Sequence, residues 1–188
     1  MKLAEQRACA DETLQYFIQA MPDTPFTESD IVFWFARKAD MAKRAVELCA
    51  LYCPERVLND SQLLDLTENV AANAFAGRET SAILIRIDAS IGKKDFRRII
   101  VHELMHIFCA KLEMDGKHFI DIYGSGTTQD NPEDEVYDGF VGAGYKVWSE
   151  FIAQYFAIKL IDTKGHEFAD IVDFVVYLLN EVVIADLT

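Results

Sequence analysis

Five consecutive residues, His102-Glu103-Leu104-Met105-His106, restrict the fold of this chain more than any other stretch. Apolar residues recur around them at helical spacing, and the pattern predicts a helix that starts near Asp95. On a helix, histidines four positions apart project from one face, so both imidazoles can bind the same metal ion. Glu103 lies between them, where it can hold and deprotonate a water molecule at the metal without binding the metal itself. The run therefore predicts two metal ligands, His102 and His106, and a general base, Glu103.

A third ligand is expected, because a catalytic metal site usually takes three protein ligands and leaves one position for water. Glu150 is the best candidate, since it lies in the apolar helical pattern of residues 148–157, where a carboxylate is costly to bury unless it meets a cation. Ala153 and Ala157 follow on the same face, and such small side chains let two helices approach closely. A solvent-facing Glu150 is the alternative interpretation. Other acidic candidates stand in charged, exposed-looking surroundings: Glu113, Glu133 and Glu135.

Other metal-site classes fit the sequence less well. The metzincin pattern needs glycine and histidine where Cys109 and Leu112 stand. Deformylases use a cysteine in a Glu-Gly-Cys context, which none of the four cysteines has. A ferritin-like di-iron site needs a second Glu-x-x-His, and no other histidine has a glutamate three residues before it.

Hydrophobic periodicity predicts an α+β, predominantly helical domain. Helices are expected over residues 2–20, over a long segment capped by Thr27 or Ser29, and from Ser61 to Phe75. The long second helix would bury a face made of Ile31, Phe35, Ala42, Val46, Cys49 and Cys53. The β-branched run at residues 82–88 predicts a strand, paired with a partner that the sequence does not place.

The second half of the chain is expected to combine a loop with two helices. Seven glycines or prolines from residue 116 to residue 144 predict a long loop. Helix is expected again from Tyr145, and residues 167–185 are expected to form a last helix. At 188 residues the chain has the length of a single domain. We divide it into a helical N-terminal scaffold at 1–77, a metal-binding core at 82–161 and a C-terminal helix at 166–186.

A family resemblance follows from these motifs. The pattern Glu150-x-x-Ala153-x-x-Phe156-Ala157-x-x-Leu160-Ile161, after a strand and His-Glu-Leu-x-His, resembles the ImmA/IrrE-type gluzincin metallopeptidases over residues 82–161. The resemblance implies a zincin-like minimal metallopeptidase fold, with a small β-sheet beside the active-site helix. It also implies Zn²⁺ held by His102, His106 and Glu150, with Glu103 as base. The family often has glycine where Met105 stands, and its stretch between the second histidine and the glutamate is usually shorter.

The implied function is zinc-dependent hydrolysis of a peptide or protein substrate. A second electrophile for the reaction is expected among Tyr145, Tyr137 and His118, and Gln154 is positioned to support the ligands. The alternative is a non-catalytic zincin-fold module that recognises a partner protein.

Composition limits the partners and the compartment. A net charge of −13 and a pI near 4.6 argue against nucleic-acid binding. No apolar run approaches the ~20 residues that span a bilayer. The N-terminus is charged, and the four cysteines, Cys9, Cys49, Cys53 and Cys109, form no C-x-x-C pair, so we expect a cytoplasmic protein with reduced thiols. The sequence does not indicate an oligomeric state.

Overall fold

The computed structural model describes residues 1–87, 90–125 and 132–162, in which six α-helices flank a small sheet. The helices are α1 (Leu3–Ala20), α2 (Met41–Tyr52), α3 (Asp60–Glu68), α4 (Lys93–Lys111), α5 (Gly116–Tyr123) and α6 (Pro132–Ile161). Short 3-10 turns at Glu28–Asp30 and Lys38–Asp40 precede and follow the first strand. The predicted α+β, mostly helical class is confirmed. None of the helices in these ranges combines the length and the apolar character that crossing a bilayer requires.

The sheet has three strands, β1 (Ile31–Ala36), β2 (Ala72–Phe75) and β3 (Ser81–Arg86), in the order β1-β3-β2. The central strand β3 pairs in parallel with β1 and antiparallel with β2. Its side chains alternate between two cores, so Ile83 and Ile85 contact one core while Ala82 and Leu84 contact the other. Both of its faces are covered, which explains why β3 is a nearly continuous apolar run.

Helices cover the two faces of the sheet differently. The larger core lies between the sheet and α1, α4 and α6, and it includes Phe17, Ile100 and Leu104. The smaller core lies between the sheet and α2 and α3, and it includes Leu48 and Leu66. The larger core holds α4, the helix of the histidine motif, against β2 and α6.

Two predicted helices of the N-terminal half are wrong in part. Residues 31–36 form β1 rather than the start of a long second helix, and Val46 is 50 % exposed rather than buried. Six consecutive apolar residues, several of them aromatic or β-branched, fit helical spacing and a buried strand equally well. The third helix ends at Glu68 rather than reaching Phe75, and residues 72–75 form β2.

Gly77 has a different role from the helix end that the sequence suggested. It lies in the turn between β2 and β3, where its backbone N–H donates to Ser81 Oγ at 3.2 Å. A Cβ at this position would lie 2.8 Å from the carbonyl oxygen of Tyr52. The glycine therefore permits the hairpin to lie directly against the end of α2.

The long loop predicted for residues 116–144 is also wrong. Residues 116–123 form α5, and α6 begins at Pro132 and continues to Ile161. Gly139, Gly142 and Gly144 lie inside α6, and a Cβ at Gly139 or Gly144 would meet nothing within 4 Å. Glycine weakens a helix without excluding it when tertiary packing supports the backbone. The C-terminal helix predicted at 166–186 lies outside the described residues.

Candidate metal centre

The two histidines lie on one face of α4, as their spacing predicts. His102 and His106 have ring centroids 4.7 Å apart, and their Nε2 atoms lie 3.0 Å apart. The opposite face of α4 is anchored in the core by Phe96, Ile100 and Leu104, which are each at most 1 % exposed. Apolar packing therefore fixes the orientation of α4, and the two imidazoles project from the face of the helix opposite these core residues.

The third predicted ligand, Glu150, reaches the same point from α6. Its Oε2 lies 3.2 Å from Nε2 of His102, and its Oε1 lies 3.3 Å from Nε2 of His106. Ala153 and Ala157 of α6 are 1 % and 0 % exposed, so small side chains occupy the buried face of this helix beside α4. Ligand atoms from the two histidines and Glu150 all lie within 4.8 Å of one another.

These three residues fit a divalent cation of the zinc type. Two imidazole nitrogens and one carboxylate form a set that is common in catalytic zinc sites, and it leaves a coordination position open. Burial alone would raise the pKa of Glu150, but hydrogen bonds to His102 and His106 outweigh it and hold the pKa below its ordinary value. Glu150 therefore stays anionic at neutral pH, as a metal ligand must.

Ser149 supports one ligand and was not predicted from the sequence. Its Oγ lies 3.1 Å from Nδ1 of His106, the ring nitrogen that faces away from Glu150. With Nε2 at the metal, the Nδ1–H of His106 can donate to this hydroxyl, which fixes both the tautomer and the orientation of the ring. The one available signal was its position directly before Glu150 in the chain, on the same helix.

Glu103 lies beside the three ligands with its carboxylate buried. It is 8 % exposed, and this burial raises its pKa to about 7, partly opposed by the neighbouring His102. The backbone N–H of Ala74 in β2 donates a hydrogen bond to the carboxylate. A carboxyl group whose pKa is near neutrality can both accept and release a proton at pH 7.

Two cavities border the ligands. The larger has a volume of about 760 Å³ and is lined by the histidines, Glu103, Glu150, Tyr145 and residues 72–74 of β2. The smaller, of about 370 Å³, is lined by residues of α4 and α6 together with Ala71 and Ala72. Residues 72–74 of β2 therefore line the same cavity as the two histidines and Glu150.

The other residues that the sequence suggested for the site, three candidate electrophiles and Gln154, lie at different distances from it. Tyr145 lines the larger cavity, and its hydroxyl donates to the carbonyl oxygen of Met114 at 3.3 Å. Tyr137 is 52 % exposed, and His118 pairs with Asp115 and does not line either cavity. Gln154 lines the smaller cavity.

The rival acidic ligands do not approach the histidine pair. Glu113 is largely exposed, and its Oε2 lies 3.8 Å from Nε2 of His118. The side chains of Glu133 and Glu135 lie outside the described part of the structure.

Comparisons with family models, with curated proteins and with solved structures give no match.

Proposed function

We propose that the chain is a zinc-dependent metallopeptidase of the zincin type, with His102, His106 and Glu150 as metal ligands and Glu103 as general base. The observation that carries this proposal is the convergence of three ligand atoms from α4 and α6, within 4.8 Å of one another, beside a buried carboxyl group. The ImmA/IrrE-like motif pattern over residues 82–161 supports the same class.

Zinc bound at these residues would acidify a water molecule and polarise the carbonyl group under attack. Glu103 accepts the proton of the attacking water at its carboxylate and returns it to the leaving amine. The Ala74 N–H and the buried surroundings hold that carboxylate in place through both transfers. Tyr145, whose pKa is raised by burial, stays a neutral hydroxyl at pH 7 and lines the larger cavity. It would donate to the developing oxyanion after releasing its hydrogen bond to Met114 O.

A peptide is the substrate class that the sheet edge favours. The backbone N–H of Arg86 donates to Ala71 O at 2.8 Å, so residue 71 and every second residue after it direct their backbone groups toward β3. The backbone groups of Ala72 and Ala74 consequently point away from β3, toward the cavities. Ala74 already contacts Glu103 and Arg56 with these groups, which leaves the N–H and carbonyl group of Ala72 for a substrate. An extended peptide can bind such an edge by backbone hydrogen bonds, which would lay its carbonyl groups across the ligands.

The replacement Glu103→Gln separates catalysis from metal binding. We expect the variant to bind zinc as the wild type does and to lose at least ~10²-fold in peptide cleavage, because no general base remains. Cleavage of an unbiased peptide mixture, read by mass spectrometry with and without a chelator, measures this. Undiminished cleavage by the Gln variant would contradict the mechanism. Zinc binding without chelator-sensitive cleavage would favour the non-catalytic interaction module instead.

A further inference from the structure

The larger cavity has an uneven balance of charge. It is lined by four acidic side chains, Asp65, Glu103, Asp115 and Glu150, and by the basic side chains of Arg56 and Lys146. Glu103 and Glu150 belong to the metal centre. Asp65 accepts from Asn69 Nδ2 at 2.8 Å, and Asp115 accepts from the backbone N–H of His118 at 2.9 Å. All four carboxylates are therefore engaged by groups of the chain itself.

The two basic side chains are not paired with any of these four acids. Neither Arg56 nor Lys146 makes an ion pair with any residue in 1–87, 90–125 or 132–162. In the smaller cavity the situation is reversed, because Arg98 pairs with Asp95 at 3.2 Å and with Asp162. The larger cavity thus has two cations without an ion-pair partner in these ranges, whereas the arginine of the smaller cavity is paired.

Arg56 is held at the substrate edge of the sheet. Its guanidinium lies over the ring of Phe75, 5.6 Å from the centroid, and its Nη1 donates to Ala74 O at 3.3 Å. Ala74 is the residue whose N–H contacts Glu103, so the guanidinium lies close to the reacting groups. Arginine has five N–H donors in a planar fork, which leaves several for a carboxylate after this single bond.

We infer that Arg56, assisted by Lys146, selects peptides that carry an acidic side chain close to the scissile bond. This inference rests on the proposed function and names the substrate class of that site. A carboxylate could accept a bidentate hydrogen bond from Arg56 without displacing any acidic group of the chain. The four acidic side chains of the cavity act on such a carboxylate as well, so the selection depends on direct contact with Arg56. The more distant part of the net charge of −13 is screened beyond roughly 8 Å at physiological salt.

The test compares peptides that differ by one isosteric group. The probes are fluorescent hexapeptide libraries in which one position at a time is fixed as Glu or as Gln. They are titrated against the zinc-loaded Glu103→Gln protein, so that binding is measured without cleavage. We expect at least one position to bind about tenfold more tightly with Glu than with Gln, since a bidentate charged pair is stronger than a neutral one.

A second substitution shows whether Arg56 is the source of this preference. In Arg56→Gln the Glu/Gln binding ratio should fall to about one, with zinc content unchanged. The matched control is Lys43→Gln, which removes the same charge from an exposed position of α2 away from both cavities, and it should keep the ratio. Equal binding of Glu and Gln peptides, or a ratio that survives Arg56→Gln, would overturn the inference.

Cleavage by the wild-type protein separates this inference from the proposed function. Equally fast cleavage of Glu and Gln peptides would leave the hydrolase standing and overturn the selection. A Glu preference in binding, without any cleavage by the wild type, would overturn the peptidase proposal and leave carboxylate recognition by Arg56 supported.

Discussion

Glu103 should make the stability of the metal-free protein depend on pH. Burial raises the pKa of Glu103 from 4.5 to about 7. Between these two pH values the carboxyl group is protonated in the folded chain but ionised in the unfolded chain. The protonated Glu103 therefore contributes to the free energy of unfolding, and this contribution is fully present below pH 4.5 and is lost as the pH rises through 7. The loss is on the order of 3 kcal/mol, at about 1.4 kcal/mol per pKa unit.

Urea unfolding at pH 5 and pH 8 in the presence of a chelator measures this effect. The Glu103→Gln variant should lose much less stability between the two pH values than the wild type. Glu113→Gln, at a largely exposed position, serves as the control and should follow the wild type. Parallel behaviour of the wild type and Glu103→Gln would show that the buried carboxyl group does not carry the pH dependence.

Ser149 should affect metal affinity rather than the presence of the site. Replacing it with Ala removes the hydroxyl that lies 3.1 Å from His106 Nδ1, so the imidazole loses its orienting partner. We expect zinc affinity to fall roughly 10- to 100-fold, as for other partners of metal-bound histidines. Competition with a chromophoric chelator gives the affinity, and Ser61→Ala, at an exposed position, is the control. An unchanged affinity would remove Ser149 from the centre.

The sequence predicted which four residues come together at the candidate site but not the groups that contact them. His102, Glu103 and His106 were predicted because a three-letter pattern on a helix fixes their geometry locally. Glu150 was predicted because a lone acid in an apolar helix requires a cation. Ser149 and Arg56 gave no such signal, since a serine or an exposed arginine is common anywhere, and the roles proposed for them depend on contacts across elements.

An ion-pair cluster joins the start of α4 to the end of α6. Asp162, directly after α6, has a side chain only 1 % exposed and contacts Lys94 and Arg98 of α4. Burial would raise the pKa of Asp162, but hydrogen bonds from the two cations outweigh it and lower the pKa below 3.8. Its stabilisation is therefore present above about pH 4 and is lost as pH falls through the lowered pKa.

Asp162→Asn tests this connection between the helices. At pH 7 we expect a loss of about 1–3 kcal/mol in the free energy of unfolding, typical of a hydrogen bond to a charged group. At a pH well below 4 the difference from the wild type should shrink, because the wild-type carboxyl group becomes protonated once the pH falls through its lowered pKa. Chemical denaturation at both pH values measures it, with Asp11→Asn on the exposed side of α1 as control. An equal loss at both pH values would contradict the electrostatic role of Asp162.

Elements defined by local patterns were predicted correctly, and those defined by pairing were not. The helix at 2–20, the strand at 82–88 and the helix of the histidine motif match α1, β3 and α4. β1 and β2 were read as helix because their short apolar runs also fit helical spacing, and only pairing with β3 makes them strands. The glycines of α6 suggested a loop because propensity cannot register the packing of that helix on α4 and α5.

The arrangement of the whole molecule explains why the site forms where it does. The sheet separates two cores, and β2 is its edge on the side of α4. Three separate segments, around residues 74, 103 and 150, meet at this edge, although more than 70 residues separate the first from the last. Hydrophobic periodicity predicts elements but not which of them meet across such distances. The cavities and the charged side chains that line them could therefore not be predicted from the sequence.

Zinc binding by the wild type and by Glu150→Gln is the most direct test of the central claim. Equilibrium dialysis with elemental analysis should give one zinc per wild-type chain. In Glu150→Gln the affinity should fall by more than about a hundredfold, beyond the loss expected for an outer partner, because a direct ligand is removed. Glu113→Gln, which alters the rival acid, should bind as the wild type does. A wild-type chain that binds no zinc, or a Glu150→Gln variant that binds it unchanged, would contradict the account.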